Sequence, residues 1–390
     1  MSSAFYSNRW KLFASQIAND STFTLGVFFI FMLFLGLRVD QISFIISIQI
    51  AIFSLFSLLG GILADKYGQK NLLLLGAGLF LIGTICVAFG QNFYWFLYGY
   101  SLVGLGSALK QGSQSALLFE SLKQDNQEED FKRVAGKIDF STNIVWVGSS
   151  ILGGLLYAIN HRFPFYAEII VAVSGFVAIT LLAKPSVVKL EEPLMERLKA
   201  AFSTTFSTKN FSKIFLFSAL IGSVALTTIQ YAQPLYKAIH IPEAYFGFIA
   251  AGFFLMRGLG SWYSNSLGKF FSVDKYLVLH AATFGLVLVL LQKLNSVFFV
   301  LPAFAILYFL RGLYGPTIST YIHERVESHE RATILSINTL LVTLFTSLAL
   351  IVLGFVATAF GLISVFFVIS LLSLLLLIGY VLSLRKVETG

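Results

Sequence analysis

The chain carries very little charge for its length. Asp, Glu, Lys and Arg make up 12% of its 390 residues, about half of the share found in soluble globular domains. Apolar residues make up 57%, and the mean hydropathy is +0.83. These values exclude an ordinary water-soluble domain. Apolar stretches of about 18 residues or more recur along the whole length, and each predicts a membrane-spanning helix.

Residues that carry chemistry are also scarce. The single cysteine, Cys86, excludes a disulfide within the chain and a cysteine-based metal site. The five histidines are scattered, which predicts no metal site, and no glycine-rich phosphate loop is present, so we expect neither a cofactor nor ATP as the energy source. We find no pairing of nucleophile and base, so the protein is not expected to be an enzyme. The net charge of +8 predicts no nucleic-acid partner here, because its placement around membrane segments matters more than its sum.

Twelve spans are predicted, in two groups of six. The first group covers residues 12–36, 41–63, 71–90, 93–118, 135–158 and 163–183, and the second covers 211–236, 243–266, 274–293, 297–320, 332–357 and 361–384. The long polar stretch 184–210 divides residues 1–183 from residues 211–390 and predicts a cytoplasmic linker between two domains. The N-terminus lacks a short apolar region followed by a cleavage site, so we expect the first span to be retained.

The basic residues predict the orientation. With a cytoplasmic N-terminus, nineteen of the 27 Lys and Arg residues fall on the cytoplasmic side and four fall outside. Such an asymmetry is the usual signature of topology in membrane proteins. We therefore expect both termini to be cytoplasmic, in a bacterial inner membrane.

A short charged turn lies between the second and third predicted spans. Gly61, Asp65, Lys66, Gly68 and Lys70 follow the spacing G-x-x-x-D-K-x-G-x-K. This pattern resembles the corresponding loop of major facilitator superfamily transporters. The resemblance implies an all-α membrane fold of two six-helix bundles related by a pseudo-two-fold axis, with the substrate site between them near the midplane. It also implies that the turn charges hold the turn against a neighbouring helix end in one conformation.

Two further features support this resemblance. Ser261, Asn265 and Gly268 repeat the turn spacing 200 residues later, and Lys110 in the fourth span has a counterpart, Arg311, in the tenth. Charged residues also cluster at the cytoplasmic ends of the fourth and fifth spans. Together with Asp65 and Lys66, these residues are predicted to form a cytoplasmic latch that opens during transport; they are Glu120, Lys137 and Asp139.

The first half places two ionisable residues inside predicted spans. Such groups cost about 2.5–3.5 kcal/mol to insert, so each is a candidate functional residue. Asp20 is expected to share a helical face with Gln16 and Thr24 in the first span. In the family, the first, fourth, seventh and tenth spans line the central cavity, so Asp20 and Lys110 are expected to meet across it. Asp20 is then either a proton-coupling site whose charge alters the Lys110 pair, or one half of a structural ion pair.

The second half has a cation without an evident acid. Arg311 lies in the tenth span with Tyr308 on its face, and the seventh span offers only neutral groups, among them Thr227 and Gln230. A guanidinium facing a cavity suits a carboxylate or phosphate. We therefore predict substrate contacts by Lys110, Arg311, Gln230, Thr227 and Tyr308, with anchoring of Arg311 to backbone carbonyls as the rival interpretation.

Glu168, near the outer end of the sixth span, is expected to reach the interface or to pair with Arg162. In the fifth span, Gly153 and Gly154 match the family's antiporter-associated motif, whereas Ser149 and Ser150 stand where that motif has Gly-Pro. The partial match weakens the prediction of drug–proton antiport.

The sequence therefore predicts a monomeric secondary transporter in the lipid bilayer that moves a small organic solute by alternating access, coupled to protons. The two cavity cations favour an anionic or carboxylate-bearing solute. Export of drugs or lipid-like amphiphiles is the main alternative, and a transporter-like receptor without flux is a second one.

Overall fold

The computed structural model describes residues 6–124, 127, 130–183, 203, 209–268, 272–292, 296–326 and 331–388. These residues form fourteen α-helices and no strand. The helices are α1 Tyr6–Asp20, α2 Phe28–Phe34, α3 Val39–Tyr67, α4 Gln69–Phe89, α5 Phe93–Gln124, α6 Phe131–Ile159, α7 Phe163–Thr180, α8 Lys209–Gln230, α9 Ala232–Ala238, α10 Phe246–Gly268, α11 Val273–Leu291, α12 Val297–His323, α13 Arg331–Phe360 and α14 Leu362–Glu388. Nearly all of the predicted linker, residues 184–210, lies outside the described residues.

Helices long and apolar enough to cross a membrane dominate the described chain. Ten stretches meet that condition, and they lie in α3, α4, α6, α7, α8 with α9, the 243–268 segment, and α11 to α14. Large apolar side chains such as Phe298 and Ile170 lie on the surface, as expected where helices face hydrocarbon. At 32 residues, α5 is also long enough to span a bilayer, but it carries more polar residues than the other ten.

The first predicted span is not one continuous helix. It ends at Asp20 as α1, turns through residues 21–27 and resumes at Phe28 as α2. The Ser21 hydroxyl donates to the Ile17 carbonyl (2.7 Å), and the Thr22 hydroxyl donates to the Asp20 carbonyl (3.3 Å); such local bonds compete with helix continuation. The prediction that Asp20 and Thr24 share a helical face is therefore wrong.

The first span of the second half is interrupted in the same way. Helix α8 ends at Gln230, and α9 begins at Ala232. Pro234 lies four residues after Gln230, where its ring clashes with the carbonyl of a continuing helix and removes a hydrogen-bond donor. Each half thus begins with a broken helix, although only the second break has a proline.

The chain divides into two compact units. One contains residues 1–37, 45–192 and 243–251, and the other contains residues 38–44, 193–242 and 252–390. Each unit is therefore built mainly from one half of the sequence plus a short segment of the other half. The predicted boundary within residues 184–210 stays a prediction.

In the first unit, α4 and α5 approach each other through pairs of glycines. A Cβ on Gly83 would lie 2.7 Å from the Gly99 carbonyl oxygen, and a Cβ on Gly76 would lie 2.9 Å from the Gly106 carbonyl oxygen. Small residues allow this backbone approach, which gains dispersion contacts in a membrane where water does not drive helices together. The close packing fixes the position of Lys110, which follows Gly106 on α5.

The turn between α3 and α4 consists of a single residue, Gly68. Its φ of +87° lies in the left-handed region, which costs an L-residue about 1–2 kcal/mol and glycine almost nothing. The glycine of the turn motif is thus required by the backbone itself.

The close approach of α4 and α5 predicts different effects of alanine at two glycines of α4. Gly83→Ala would push a methyl group into the Gly99 carbonyl and should destabilise the protein by about 1–3 kcal/mol. Gly78→Ala is the matched control, because the nearest atom to its Cβ is a ring carbon of Phe176 at 3.7 Å. Thermal unfolding of both purified variants should show a lower melting temperature for Gly83→Ala only. Equal melting temperatures would contradict the packing.

Candidate functional site

A cavity of about 480 Å³ lies within the first unit. It is bordered by α1, α3, α4, α5 and α6, and its lining combines a carboxylate, an ammonium group and three glutamines with aromatic rings. The lining residues are Leu12, Gln16, Asn19, Asp20, Phe53, Phe80, Ser107, Lys110, Gln111, Gln114, Leu118, Ala135, Ile138 and Trp146. Of the predicted site residues, Asp20 and Lys110 are therefore brought together here.

Asp20 is held by two neutral hydrogen-bond donors. Its Oδ2 accepts from Gln16 Nε2 at 2.6 Å and from Thr142 Oγ1 at 2.9 Å. Gln16 lies one turn earlier in α1, as the sequence predicts, whereas Thr142 comes from α6 and no pattern in the sequence pointed to it. Both of these donors are uncharged, so each positions the carboxyl group without bringing a positive charge to it.

Lys110 contacts the residue next to Asp20. Its Nζ donates to Asn19 Oδ1 at 3.0 Å and lies 3.5 Å from the ring centroid of Phe80, and the residue is only 6% exposed. A desolvated ammonium over an aromatic face gains about 2 kcal/mol. Contacts with the Asn19 amide oxygen and the Phe80 ring therefore hold the buried Lys110 ammonium in place.

Gln114 also lines this cavity, and its amide nitrogen is unusual. Its Nε2 is buried without a hydrogen-bond partner among the described residues, although buried amides are normally paired. Gln114 lies one turn beyond Lys110 on α5, so both residues lie on the same face of one helix. The sequence analysis did not single this residue out.

Glu168 does not form the pair with Arg162 that was one of its two predicted roles. Arg162 donates to the carbonyl oxygens of Ala88 (2.6 Å) and Gly90 (3.1 Å), so the predicted Arg162–Glu168 pair is wrong. The Glu168 carboxylate instead accepts from the Thr24 hydroxyl at 2.7 Å and from the Thr24 amide at 3.3 Å. It thereby binds the break between α1 and α2, and it lies within electrostatic range of Lys110.

The second unit places Arg311 among aromatic hydroxyls and another cation. Arg311 lies within electrostatic range of Arg257 and of Tyr276, Tyr308 and Tyr314. Gly312, the next residue, is where α12 meets the α10 backbone, since a Cβ there would overlap the Arg257 carbonyl. In the described part of the chain, the Arg311 guanidinium has no hydrogen bond or ion pair, and backbone anchoring is therefore not seen.

The other residues predicted to contact substrate are spread over the second unit. The Tyr308 ring stacks on Phe253 with 4.8 Å between centroids. Thr227 faces a different cleft, whose lining does not include Arg311. Gln230 is the last residue of α8. Tyr308 thus accompanies Arg311, while Thr227 does not.

Lysines secure the end of α7 near the charged turn. Lys70 Nζ donates to the carbonyl oxygens of Thr180 (3.0 Å) and Leu182 (2.6 Å), and Lys11 Nζ donates to that of Leu181 (2.7 Å). Cations at a helix C-terminus satisfy its last carbonyls and oppose its dipole. Asn8 completes the arrangement, because it donates to the Ala183 carbonyl (2.9 Å) and accepts from the Ala183 amide (2.8 Å).

The remaining residues of the predicted latch are only partly described. Gly61, Asp65 and Lys66 lie in α3 and Asp139 lies in α6, but their side chains are outside the described part of the structure. Glu120 is half-buried, and Lys137 is exposed beside a surface groove that also includes Arg9 and Asp130. The latch stays a prediction.

The helical architecture of the described residues, with ten candidate spans and a cavity lined by charged, polar and aromatic side chains, is that of a polytopic membrane protein. The family model described as Major Facilitator Superfamily matches residues 12–240 and 215–389. The chain belongs to this superfamily, which is one of transporters and not of enzymes. The resemblance predicted from the turn motif is thereby confirmed.

Among curated proteins, the chain is similar to the quinolone resistance protein NorA of Staphylococcus aureus (strain MSSA476), with 22% identity over 205 residues. That match covers 52% of this chain and 51% of NorA, so the chain spans about half the length of this relative. The uncharacterized MFS-type transporter YxaM of Bacillus subtilis (strain 168) is 22% identical over 347 residues, covering 84% of this chain and 83% of YxaM.

Solved structures share the fold. The nucleoside transporter NupG superposes with a TM-score of 0.79 at 14% identity, covering 98% of both chains. A D-xylose–proton symporter superposes with a TM-score of 0.73 at 12% identity, covering 97% of both chains. At these identities, the likeness defines the all-α fold and leaves the solute undefined.

The bond from Thr24 to Glu168 can be tested by removing a single hydroxyl. Thr24→Val keeps the shape of the side chain but deprives a buried carboxylate of its 2.7 Å donor, which should cost about 1–3 kcal/mol of stability. Thr22→Val is the control in the same turn, because its hydroxyl bonds only a local carbonyl at 3.3 Å. Thermal unfolding should separate the two. If Thr24→Val unfolds at the temperature of Thr22→Val, the bond does not hold the break.

Proposed function

We propose that the protein is a proton-coupled secondary transporter that moves a small organic solute by alternating access, with Asp20 as the coupling residue. The observation that carries this proposal is the position of Asp20 in a polar cavity of the membrane-embedded first unit, bound by two neutral donors. Gln16 and Thr142 can bond this carboxyl group whether it is ionised or protonated, since each needs only an acceptor oxygen. A carboxyl group that tolerates both states can load a proton on one side and release it on the other.

Lys110 supplies the second element of the coupling. The ammonium group lies next to Asp20 through Asn19, and it is also within electrostatic range of Glu168. Protonation of Asp20 removes a negative charge from beside a desolvated cation, which changes the local field strongly because screening there is weak. The change in field would favour a rearrangement of Lys110.

The energy available for such a cycle is adequate. A pH difference of one unit supplies about 1.4 kcal/mol per proton, and a potential of 100 mV supplies about 2.3 kcal/mol per charge. Together they support accumulation of a neutral solute by roughly two to three orders of magnitude. The protein would act as a monomer in a bacterial inner membrane, with both termini in the cytoplasm.

The preference for an anionic solute rests on the second unit. In the first unit, Asp20 and Glu168 offset Lys110, so that cavity has no positive excess among its described groups. Arg311, by contrast, has Arg257 beside it and neutral tyrosine hydroxyls around it. A carboxylate or phosphate on the solute would supply the counter-charge that this guanidinium lacks.

Export of amphipathic drugs is the second candidate. The similarity to NorA, a protein named for quinolone resistance, favours it, and so do the Phe53, Phe80 and Trp146 rings that line the cavity. Deleting the gene should then sensitise cells to amphipathic drugs, and restoring it should reverse the effect. A carboxylate-specific importer would leave drug sensitivity unchanged.

Asp20→Asn tests proton coupling. The amide keeps the shape and can still accept from Gln16 and Thr142, but it cannot exchange a proton. In proteoliposomes, an imposed pH gradient should raise solute flux at least tenfold with the unaltered protein and have no effect with Asp20→Asn, while exchange without a gradient persists. Asp130→Asn, which alters a carboxylate outside the cavity, is the control. Normal gradient-driven flux by Asp20→Asn would refute the assignment.

Arg311→Gln tests the anion preference. Loss of a charge-assisted bond should weaken binding of an anionic solute by about tenfold to a hundredfold, on the scale of 1.5–3 kcal/mol. Lys237→Gln, which alters an exposed lysine of α9, should leave the affinity unchanged. Binding can be followed by the shift in melting temperature with solute concentration. Unchanged affinity in Arg311→Gln would rule out the contact and leave the coupling role of Asp20 standing.

A further inference from the structure

The first unit carries a surface groove that is separate from the cavity around Asp20. The groove has a volume of about 730 Å³ and lies between α1, α6 and the connection that leads from α5 into α6. Its lining shares no residue with the lining of the cavity. The proposed transport mechanism assigns no role to this groove.

The polarity of the groove changes along the two helices. Arg9 and Arg133 line it near the starts of α1 and α6, whereas Phe13 and Phe140 line it one and two turns further along. The candidate span of α6, Arg133–Ile159, begins at the charged end, and at 1.5 Å per residue Phe140 lies about 10 Å deeper. The charged end therefore lies at the membrane surface, and the aromatic end lies towards the hydrocarbon.

Basic side chains dominate the charged end. The described lining contains Arg9, Arg133 and Lys137 but a single acid, Asp130. Arg133 Nη1 lies 3.6 Å from Asp130 Oδ1, yet the Arg133 side chain is 71% exposed, so this pair leaves most of the guanidinium accessible. Lys137 is also exposed and lies one turn after Arg133 on α6. Basic groups placed at a membrane surface attract anionic lipid headgroups.

The aromatic end is open to its surroundings. Trp10 and Phe140 are 60% and 69% exposed, and the Trp10 ring packs edge-on against Phe13 with 6.2 Å between centroids. Exposed tryptophan is typical of the headgroup level of a bilayer. Ile144, one turn beyond Phe140, is 58% exposed, so the apolar strip continues along α6. Gly136 adds no side chain to the groove, and a Cβ there would meet no atom within 4 Å.

We propose that this groove is a binding site for an anionic phospholipid. Arg133 and Lys137 donate hydrogen bonds to the lipid phosphate, and one acyl chain runs past Trp10 and Phe140 towards the interior of the bilayer. A soluble anion would leave the aromatic end uncovered. A zwitterionic lipid carries a positive group of its own, which would not offset the excess of basic groups. The site stands whether or not Asp20 couples transport to protons.

Tryptophan fluorescence can report which lipid lies in the groove. The chain has four tryptophans, and Trp95→Phe, Trp146→Phe and Trp262→Phe together leave Trp10 as the reporter. The protein is reconstituted in vesicles of equal parts phosphatidylglycerol and phosphatidylcholine. Bromine atoms, which quench tryptophan on contact, are carried by the acyl chains of one lipid or of the other. A second protein retains Trp262 alone, which is 82% exposed on α10 outside the groove lining.

Trp10 should be quenched mainly by brominated phosphatidylglycerol, with a preference on the order of tenfold over phosphatidylcholine. Trp262 should be quenched about equally by both lipids. Lys137→Gln removes a basic group from the groove and should lower the preference at Trp10 about fivefold. Lys123→Gln is the matched control, because it alters an exposed lysine in the last turn of α5 that does not line the groove. It should leave the preference unchanged.

A groove-filling variant provides an independent test. Gly136→Leu places a side chain in open space, so the fold should persist in thermal unfolding while the preference at Trp10 is lost. Equal quenching of Trp10 by the two lipids, or a preference that survives both Lys137→Gln and Gly136→Leu, would overturn the proposal. An equal preference at Trp262 would also overturn it, since the net charge of the whole protein would then explain the effect. Absence of quenching at Trp10 would show that lipid does not occupy the groove.

Discussion

Polar groups inside a bilayer must find their partners within the protein, and this constraint explains most of the described arrangement. The carboxylates of Asp20 and Glu168 accept from side chains or backbone of other elements, and Lys110 lies between an amide oxygen and a ring. Each of these charged groups therefore has a partner within the protein. The helices therefore pack so that α1, α5, α6 and α7 present donors and acceptors to one another, while leucine and phenylalanine cover their outer faces.

The breaks in the first helix of each half serve the same constraint. An intact helix satisfies its own backbone and offers only side chains, whereas a break exposes amide and carbonyl groups that other residues can bind. Glu168 binds such an exposed backbone group at Thr24, where its carboxylate accepts from both the Thr24 amide and the Thr24 hydroxyl. Close glycine contacts between α4 and α5 hold Lys110 near the break. The break between α1 and α2 and the glycine contacts between α4 and α5 thus bring Asp20, Lys110 and Glu168 into one polar cluster.

Composition and apolar stretches sufficed for the fold class, and the turn motif sufficed for the family, because both depend on local pattern. Helical spacing placed Gln16 beside Asp20, and the family resemblance, in which the first and fourth spans line the cavity, placed Lys110 near Asp20. Thr142 and Phe80 could not be predicted, since which side chain of a distant helix reaches a group depends on helix rotation. The break after Asp20 was missed because Ser21 and Thr22 are common within spans, and the role of Glu168 depends on that break.

The end of α7 is bound on three sides, by Asn8, Lys11 and Lys70. These bonds join the last turn of the helix to α1 and α4, so the final carbonyls cannot fray without breaking contacts to two other helices. Tension applied to the chain beyond Ala183 would therefore be borne by the whole bundle and not by α7 alone.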